Sequence, residues 1–255
     1  MLKIFLLGNR TDPKLGAAYQ TMAASIRTNL VKTCTDGSAF FAVRGGRQWQ
    51  EHLACFAPGM LALGVLTGAS GAPDEDTRVA IATGETCYRA YTNTPTGLAP
   101  DAWNFGAREQ DYQPPVGIAS ERGPLPRCRG QVEATGSKFS LRPETIESLF
   151  YLYRLTRNET YRDYGWKIFE AIERHCRTRI GYAGLTNVYR LGASTMEDSE
   201  PSFFMAEVLK YLYLLFSDED VLPLDKWVLN TEAHPFLVEH HPTHGLDEDQ
   251  EEEFA

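Results

Sequence analysis

The chain has 255 residues, enough for one large domain or two small ones with a real hydrophobic core. Its content of 43% hydrophobic and 11% aromatic residues excludes a disordered protein. The net charge is −9, and the segment 237–255 alone contains seven acidic residues and no Lys or Arg. The remainder has 27 acidic against 25 basic residues, which gives no support to nucleic-acid binding. No run of about 18 apolar residues is present, so we expect no membrane span.

In the first 92 residues, apolar spacing predicts three helices, over 14–32, 57–67 and 77–92. The second is apolar almost all round, so we expect it to be buried on every side. The short apolar run 39–43 lies between Gly-containing turns and indicates a strand or hairpin arm. From 93 to 140, six prolines interrupt any period, and an irregular stretch of this length tends to be functional.

The second half contains a repeated helical pattern. Three helices and one short strand are predicted there: 143–156, 159–177, 201–216 and 227–230. The first and third helices share the pattern E-x-L-x-Y-L-Y, at Glu147–Tyr153 and Glu207–Tyr213, and each follows a proline at the helix start. The offset of 60 residues corresponds to two helices with their loops, so the repeated unit is a helical hairpin. Such hairpins predict helices stacked side by side, in a solenoid or an α/α barrel.

Signals for targeting and modification are few. The segment 1–8 is apolar but too short for a convincing signal peptide. Two sequons, at Asn9 and Asn158, permit N-glycosylation but occur too often by chance to prove it. The cysteines form no CxxC, so a zinc cluster is a weak interpretation, and their odd number leaves at least one thiol free if the chain is secreted. They are Cys34, Cys55, Cys87, Cys128 and Cys176.

The acidic residues of the repeated helices are the first candidates for chemistry. Glu144 and Glu147 lie three residues apart on one helix face, shortly after Arg142, which could hold one carboxylate ionised or bind an anionic or polyol ligand. Acids in a first turn commonly serve only to favour the helix dipole. Glu147 and Glu207, however, occupy matching positions on Tyr-rich apolar helices, where an acid is costly to bury unless it binds something. Carboxylates beside aromatic rings indicate a carbohydrate site.

The remaining candidates carry less weight. His52 is a lone histidine, and lone histidines are more often structural than catalytic. Thr231 follows the last predicted strand and can offer its hydroxyl and carbonyl to a hard cation such as calcium, although a turn that ends the domain also explains it. The acidic segment 237–255 is expected to be a solvated, disordered extension, whose histidines could bind metal adventitiously.

Five segments resemble the class I α-mannosidases, glycoside hydrolase family 47. They are LRPETIESLFYLYR from Leu141, YRDYGW from Tyr161, SFFMAEVLKYLYLLF from Ser202, LPLD from Leu222 and NTEAHP from Asn230. Their order and spacing match the family as well, whereas HLACF at His52 and TGLAP at Thr96 match earlier family motifs less tightly. The resemblance covers roughly residues 1–236 and is specific in the second half.

The resemblance implies an all-α fold, namely part of an (α/α)7 barrel with short β-hairpins at its loops. Residues 1–236 would form this barrel domain and 237–255 the tail. The implied activity is an inverting, calcium-dependent hydrolysis that trims α-1,2-linked mannose from high-mannose N-glycans on glycoproteins. The implied location is the lumen of the endoplasmic reticulum or Golgi, with any membrane attachment through an N-terminal anchor absent from this chain.

The resemblance also implies roles for individual residues. Glu144 matches the proposed general base that activates water, and Thr231 matches the threonine that holds Ca²⁺ through its hydroxyl and carbonyl. Cys55 and Cys87 match the family's disulfide pair, which fits an oxidising lumen. The other matched residues surround the base or contact the terminal mannose; they are His52, Arg142, Glu147, Phe203 and Glu207.

The chain departs from the family pattern at its start, in the segment 101–139 and in its tail. Inverting chemistry needs a second carboxyl group about 6.5–9.5 Å from the first, and the resemblance places the family's other catalytic acids in the half of the barrel that precedes this chain. We therefore expect the 255 residues alone to release no mannose from a high-mannose glycan. Two alternatives are a non-catalytic mannose-glycan-binding or degradation-targeting relative, and a helical scaffold without a sugar site.

Overall fold

A computed structural model of the chain describes residues 1–34, 37–42, 49–105, 132–134, 136–192 and 195–239. Seven α-helices lie in these ranges: α1 (Leu2–Leu7), α2 (Pro13–Ser25), α3 (Phe56–Leu66), α4 (Pro73–Thr92), α5 (Glu144–Thr156), α6 (Thr160–His175) and α7 (Lys210–Phe216). Seven short strands accompany them: β1 (Val31–Thr33), β2 (Ala39–Phe41), β3 (Trp49–Glu51), β4 (Ala102–Phe105), β5 (Val132–Ala134), β6 (Trp227–Leu229) and β7 (Pro235–Leu237). Two π-helical segments, Ile26–Leu30 and Phe204–Leu209, follow α2 and precede α7. The predicted all-α class is confirmed.

Local sequence explains where two of the early helices begin. The side chain of Asp12 accepts hydrogen bonds from the N–H groups of Lys14 and Leu15, which caps α2. Helix α4 begins at Pro73 rather than at 77, because proline suits the first helical position and three acids follow it in the first turn. The sequence-based start of this helix was therefore wrong.

The helix predicted over 14–32 was also too long. Its last residues leave the helix because Val31, which is β-branched, starts β1 and pairs with Phe41 of β2. The predicted strand within 39–43 is confirmed as β2, whose residues are all buried.

The central helices form a double layer. Helices α3, α5 and α7 lie side by side, while α4 packs against α3 and α5, and α6 packs against α5 and α7. Helix α3 is buried on nearly all sides, as its composition predicts, although Phe56 at its start is 45% exposed. A Cβ on Gly59 would lie 3.0 Å from the Cα of Ser148, so this glycine permits the close approach of α3 to α5. The N–H of Gly59 donates to the Ser148 hydroxyl at 2.8 Å.

The internal repeat corresponds to two neighbouring helices. Helices α5 and α7 pack against each other, and the rings of Tyr151 and Tyr211, which occupy matching repeat positions, lie 6.4 Å apart. The hydroxyl of Tyr211 donates to Glu147 at 3.1 Å. The side-by-side stacking predicted from the repeat is therefore confirmed.

The strands form small sheets at the loops. Strands β1 and β2 pair, β3, β4 and β5 form a three-stranded sheet, and β6 pairs with β7, all antiparallel. Strands β4 and β5 belong to the stretch 93–140, in which the sequence predicted no regular element, and residues 106–131 lie outside the described ranges. The domain boundary placed at 236 falls inside β7, and Glu239 still donates to the carbonyl of Leu7 at 2.8 Å. The predicted disordered tail falls almost entirely on 240–255, outside the described ranges.

One predicted disulfide is present. Cys55, just before α3, is bonded to Cys87 on α4, and both are fully buried. Cys34 is also disulfide-bonded, whereas Cys176 is a buried free thiol. Across the described part of the chain, no helix is long and apolar enough to cross a membrane.

Candidate active site

The N-terminus of α5 carries the predicted acid pair, and the first acid is tied to a histidine from another segment. Glu144 begins the helix and is 7% exposed. Its Oε2 lies 2.7 Å from Nδ1 of His52, which opens the 3₁₀ turn before α3 and is fully buried. The Nε2 of the same ring lies 2.7 Å from the hydroxyl of Tyr91 and 3.2 Å from that of Thr145. His52 therefore links α4, α5 and the start of α3.

The Glu144 carboxyl is held in its ionised form. Burial raises its pKa, but a hydrogen bond and charge from His52, a backbone hydrogen bond and the charge of Arg142 together bring the pKa below its usual 4.5. An ionised carboxylate only accepts hydrogen bonds, so Nδ1 of His52 is the donor to Glu144. Burial raises the pKa of Tyr91, so its phenol stays protonated and donates. Glu144 is thus a buried carboxylate of fixed orientation.

Arg142 joins this carboxylate to the irregular segment that follows α4. Its Nη1 lies 3.4 Å from Oε1 of Glu144, and its Nε lies 3.7 Å from Oδ1 of Asp101. Asp101 accepts hydrogen bonds from the N–H and the hydroxyl of Ser140, at 2.9 and 2.6 Å, and its carbonyl accepts from the N–H of His52 at 2.9 Å. Asp101 therefore contacts both His52 and Arg142, the two partners of Glu144, and fixes their relative positions.

One turn further along α5, Glu147 is held by groups from distant parts of the chain. Its Oε1 accepts from the hydroxyl of Tyr211 at 3.1 Å and lies 3.5 Å from Nζ of Lys3 on α1. Burial raises the pKa of Glu147, while the charge of Lys3 and the hydrogen bond from Tyr211 act in the opposite direction. Lys3 also donates to the carbonyl of Asn230 at 3.1 Å. Through Glu147 and Asn230, Lys3 therefore connects α5 to the turn between β6 and β7.

Glu207 supplies a third carboxyl group, from the π-helical segment before α7. It is 7% exposed, and burial together with the charges of Glu232, Glu147 and Glu144 raises its pKa to about 7, against a smaller effect of Lys3. Four carboxyl groups, from α5, this segment and the β6–β7 turn, therefore influence one another electrostatically. Short π-helical segments occur frequently at functional sites.

The turn between β6 and β7 is fixed by its own side chains and by α7. The Oδ1 of Asn230 accepts from two backbone N–H groups of the turn, both at 2.9 Å. Ala233 takes a left-handed conformation with φ of 55°, and its carbonyl accepts from Nζ of Lys210 at 2.9 Å. Thr231 is exposed in this turn, and within the described ranges its hydroxyl and carbonyl take part in no hydrogen bond.

Comparison with known proteins identifies the family. The family model of glycosyl hydrolase family 47 matches residues 1–238. The chain belongs to this family. Mannosyl-oligosaccharide α-1,2-mannosidase IA of Drosophila melanogaster is 39% identical over 241 residues, which cover 93% of this chain and 33% of the relative. Mannosyl-oligosaccharide 1,2-α-mannosidase MNS1 of Arabidopsis thaliana is 40% identical over 250 residues, covering 93% of this chain and 39% of the relative.

A solved family 47 structure has the same fold. The α-1,2-mannosidase from Trichoderma reesei superposes with a TM-score of 0.75 at 28% identity, covering 93% of this chain and 50% of that chain. The helical-barrel arrangement predicted from the sequence is confirmed by this likeness. The chain spans about a third of the length of the curated relatives described above and half of this solved structure.

Most of the residues singled out in the family 47 motifs are close together in the structure. Hydrogen bonds and charges connect a group of five: His52, Arg142, Glu144, Glu147 and Glu207. Phe203 is half-buried and lies four residues before Glu207 in the chain. Thr231 directly precedes Glu232, a turn residue whose charge raises the pKa of Glu207. Their catalytic, sugar-binding and metal-binding roles stay predictions.

Sequence reasoning missed the residues that hold this family 47 site in place. Five of them are Lys3, Tyr91, Asp101, Tyr211 and Asn230. The repeat contained a usable signal for Tyr211, because it lies in the same pattern as the second repeated glutamate. No local pattern reveals the contact between Lys3 and Asn230, which are 227 residues apart in the chain.

Proposed function

We propose that this chain forms part of the active site of an inverting, calcium-dependent α-1,2-mannosidase that trims high-mannose N-glycans on glycoproteins. The named activities of the fly and plant relatives support the substrate class. The observation that carries the proposal is the Glu144 carboxylate, which is buried, ionised and oriented by His52 and Arg142. The proposed location is the lumen of the endoplasmic reticulum or Golgi, where the Cys55–Cys87 disulfide would persist.

Glu144 is the proposed general base. Its Oε2 is engaged by His52, whereas Oε1 meets Arg142 only at 3.4 Å and keeps a lone pair that can accept a hydrogen bond from water. Water bound there would transfer a proton to Glu144 as its oxygen attacks the anomeric carbon of mannose. Inversion requires the protonating acid about 6.5–9.5 Å away, on the other face of the sugar. We propose that this acid lies outside residues 1–255, since the chain spans only part of its relatives.

The other carboxyl groups are proposed to bind the terminal mannose. Glu207, with a pKa of about 7, exists in both protonation forms near neutrality, so it can donate to or accept from a sugar hydroxyl. Glu147 would contribute a second acceptor from the same face of α5. The half-buried ring of Phe203 is suited to the apolar face of a pyranose.

Calcium is the cofactor that this donor set favours. Thr231 offers two hard oxygen ligands, its hydroxyl and its carbonyl. Within the described ranges, no cluster of three His, Cys, Asp or Glu side chains could hold a metal ion, so other oxygen ligands, including water, would have to complete the site. Burial, together with the negative charges of Glu232, Glu147 and Glu144, raises the pKa of Glu207, and a divalent cation would offset those charges. When bound, calcium would supply further coordination for sugar hydroxyls.

The test of the proposed base is Glu144→Gln, introduced into a polypeptide that contains this chain and releases mannose from a high-mannose glycan. The amide keeps the shape of the side chain but cannot take a proton, so we expect turnover to fall by roughly 10²–10⁴-fold. Glu170→Gln, at an exposed glutamate on α6, is the matched control and should leave turnover unchanged.

Two readings of the same preparation separate the alternatives. Circular dichroism and thermal unfolding should be nearly the same for Glu144→Gln and the parent, which excludes loss of fold as the cause. Turnover within about threefold of the parent would remove Glu144 from the role of base. If polypeptides that contain this chain bind a mannose-mimicking iminosugar but release no mannose, the non-catalytic glycan-binding relative would be favoured instead.

A further inference from the structure

The two Asn-X-Thr sequons differ in exposure, since Asn158 is exposed and Asn9 is half-buried. We propose that Asn158 is a modification site that carries an N-linked oligosaccharide, and that Asn9 carries none. The proposal rests on the proposed function only in requiring passage through the secretory lumen. It concerns the surface of the fold, because an N-linked glycan is bulky and must remain in solvent after folding.

The amide nitrogen of Asn158 is available. Residues 157–159, which connect α5 to α6, are all exposed. The Oδ1 of Asn158 accepts from the N–H of Thr160 at 3.0 Å, its N–H donates to the Thr156 hydroxyl at 3.2 Å, and its carbonyl accepts from the N–H of Tyr161 at 3.2 Å. Within the described ranges, its Nδ2 and the Thr160 hydroxyl have no hydrogen-bond partner. The atom to be modified therefore faces solvent while the loop around it is fixed.

Asn9 is placed differently. It is half-buried after α1, in a left-handed conformation with φ of 48°, and it lines a cavity of about 130 Å³ together with Leu66 and Leu224. The backbone of its sequon is folded back on α1, since its own N–H donates to the carbonyl of Leu6 at 3.0 Å. The hydroxyl of Thr11 donates to the carbonyl of Gly8 at 2.7 Å. An oligosaccharide on Asn9 would start from a half-buried side chain that lines this cavity, whereas one on Asn158 would start from an exposed side chain.

The location of Asn158 also leaves the candidate active site open. Asn158 follows the C-terminus of α5, whereas Glu144 begins that helix. A helix rises 1.5 Å per residue, so the two positions are about 20 Å apart along its axis. A glycan on Asn158 would extend from the end of the helix opposite the carboxylates.

The transfer requires a polyprenyl-diphosphate-linked oligosaccharide as donor. Nδ2 of Asn158 forms a bond to the anomeric carbon of the first sugar, and the bond between that carbon and the diphosphate oxygen breaks. The lipid diphosphate leaves with the bonding electron pair. The amide nitrogen loses one proton to a base of the transferase, so no oxidant or reductant is needed.

The test is to secrete the 255-residue chain behind a cleavable signal peptide from eukaryotic cells and to map its glycans. Peptide:N-glycosidase converts a glycosylated asparagine to aspartate, which peptide mass spectrometry detects. We expect conversion at Asn158 and none at Asn9. Asn158→Gln should lose the glycan and its mass shift, whereas Asn9→Gln should keep both.

A second pair of variants removes the dependence on Asn158→Gln folding well. Thr160→Ser preserves the sequon and should keep the glycan, whereas Thr160→Ala should lose it while Asn158 stays in place. Unmodified Asn158 in the secreted protein, or a glycan on Asn9, would overturn the proposal. Glycan mapping is independent of turnover, so a failure here leaves the proposed mannosidase function intact, and Glu144→Gln should carry the same glycan.

Discussion

Replacing Glu207 with glutamine should stabilise the protein above neutral pH and have little effect in acid. The folded carboxyl has a pKa of about 7, raised by burial and by the charges of Glu232, Glu147 and Glu144, against a usual value of 4.5 in the unfolded chain. Between these values the folded state keeps a proton that the unfolded state has lost. The stability of the parent therefore falls as pH rises from 4.5 to about 7, and above that range the loss is complete.

The expected size follows from this difference. The difference between the two pKa values corresponds to roughly 3 kcal/mol of stability that is lost at high pH. At pH 5 most of this loss has not yet occurred. Glutamine keeps the volume of Glu207 but carries no charge at any pH. We therefore expect the loss of stability between pH 5 and pH 8 to be about 2–3 kcal/mol smaller in Glu207→Gln than in the parent.

The assay is urea unfolding, followed by far-ultraviolet circular dichroism, at pH 5 and pH 8 in buffer with a calcium chelator. Glu170→Gln, which changes an exposed glutamate, is the matched control and should follow the parent at both pH values. Glu232→Gln removes the largest charge acting on Glu207 and should give an intermediate pH dependence. If Glu207→Gln and the parent lose the same stability between the two pH values, the four carboxyl groups are not coupled as described.

Three further predictions concern the proposed calcium site and the packing. Thr231→Ala should abolish most of the calcium-dependent rise in melting temperature, with magnesium as the comparison ion; an unchanged rise would remove Thr231 as a ligand. Replacing Cys55 and Cys87 with alanine should lower the free energy of unfolding in urea by about 4 kcal/mol, because the disulfide closes a loop of 32 residues. A loss under about 1 kcal/mol would contradict this prediction. The Cβ of Gly64→Ala would overlap the hydroxyl of fully buried Tyr19, so this change should lower the free energy of unfolding by about 1–3 kcal/mol. Gly8→Ala is the control and should be nearly neutral, because its Cβ would lie 3.8 Å from the nearest atom. Equal unfolding midpoints for the two variants would refute this contrast.

Helices and their pairing were largely predictable because their signals are local. The 3.6-residue spacing of apolar residues located the main helices, and the repeat placed Glu147 beside the helix that carries Tyr211. Helix ends were less predictable, because they depend on tertiary partners. Val31 left its helix to pair with Phe41, and this pairing cannot be recognised from the residues that precede it.

The connections that orient the carboxyl groups could not be predicted for a different physical reason. Lys3 reaches both Glu147 and Asn230, and Asp101 reaches Arg142, only because the folded chain brings together segments with no shared periodicity. A lone lysine in an apolar N-terminal run and a lone aspartate in an irregular stretch have no distinguishing pattern.

The backbone on either side of the site shows how tertiary packing overrides local preference. Leu141, just before Arg142, has φ of 56°, and Ala233 in the β6–β7 turn has φ of 55°, a region that residues with a Cβ seldom adopt. Such conformations cost of order 1 kcal/mol or more, and they persist only where surrounding contacts determine them. Both residues are fully buried, and the carbonyl of Ala233 is bound by Lys210. Arg142 and Thr231 each lie within two residues of such a position, so the packing that maintains this strain also sets the direction of the groups proposed to bind sugar and calcium.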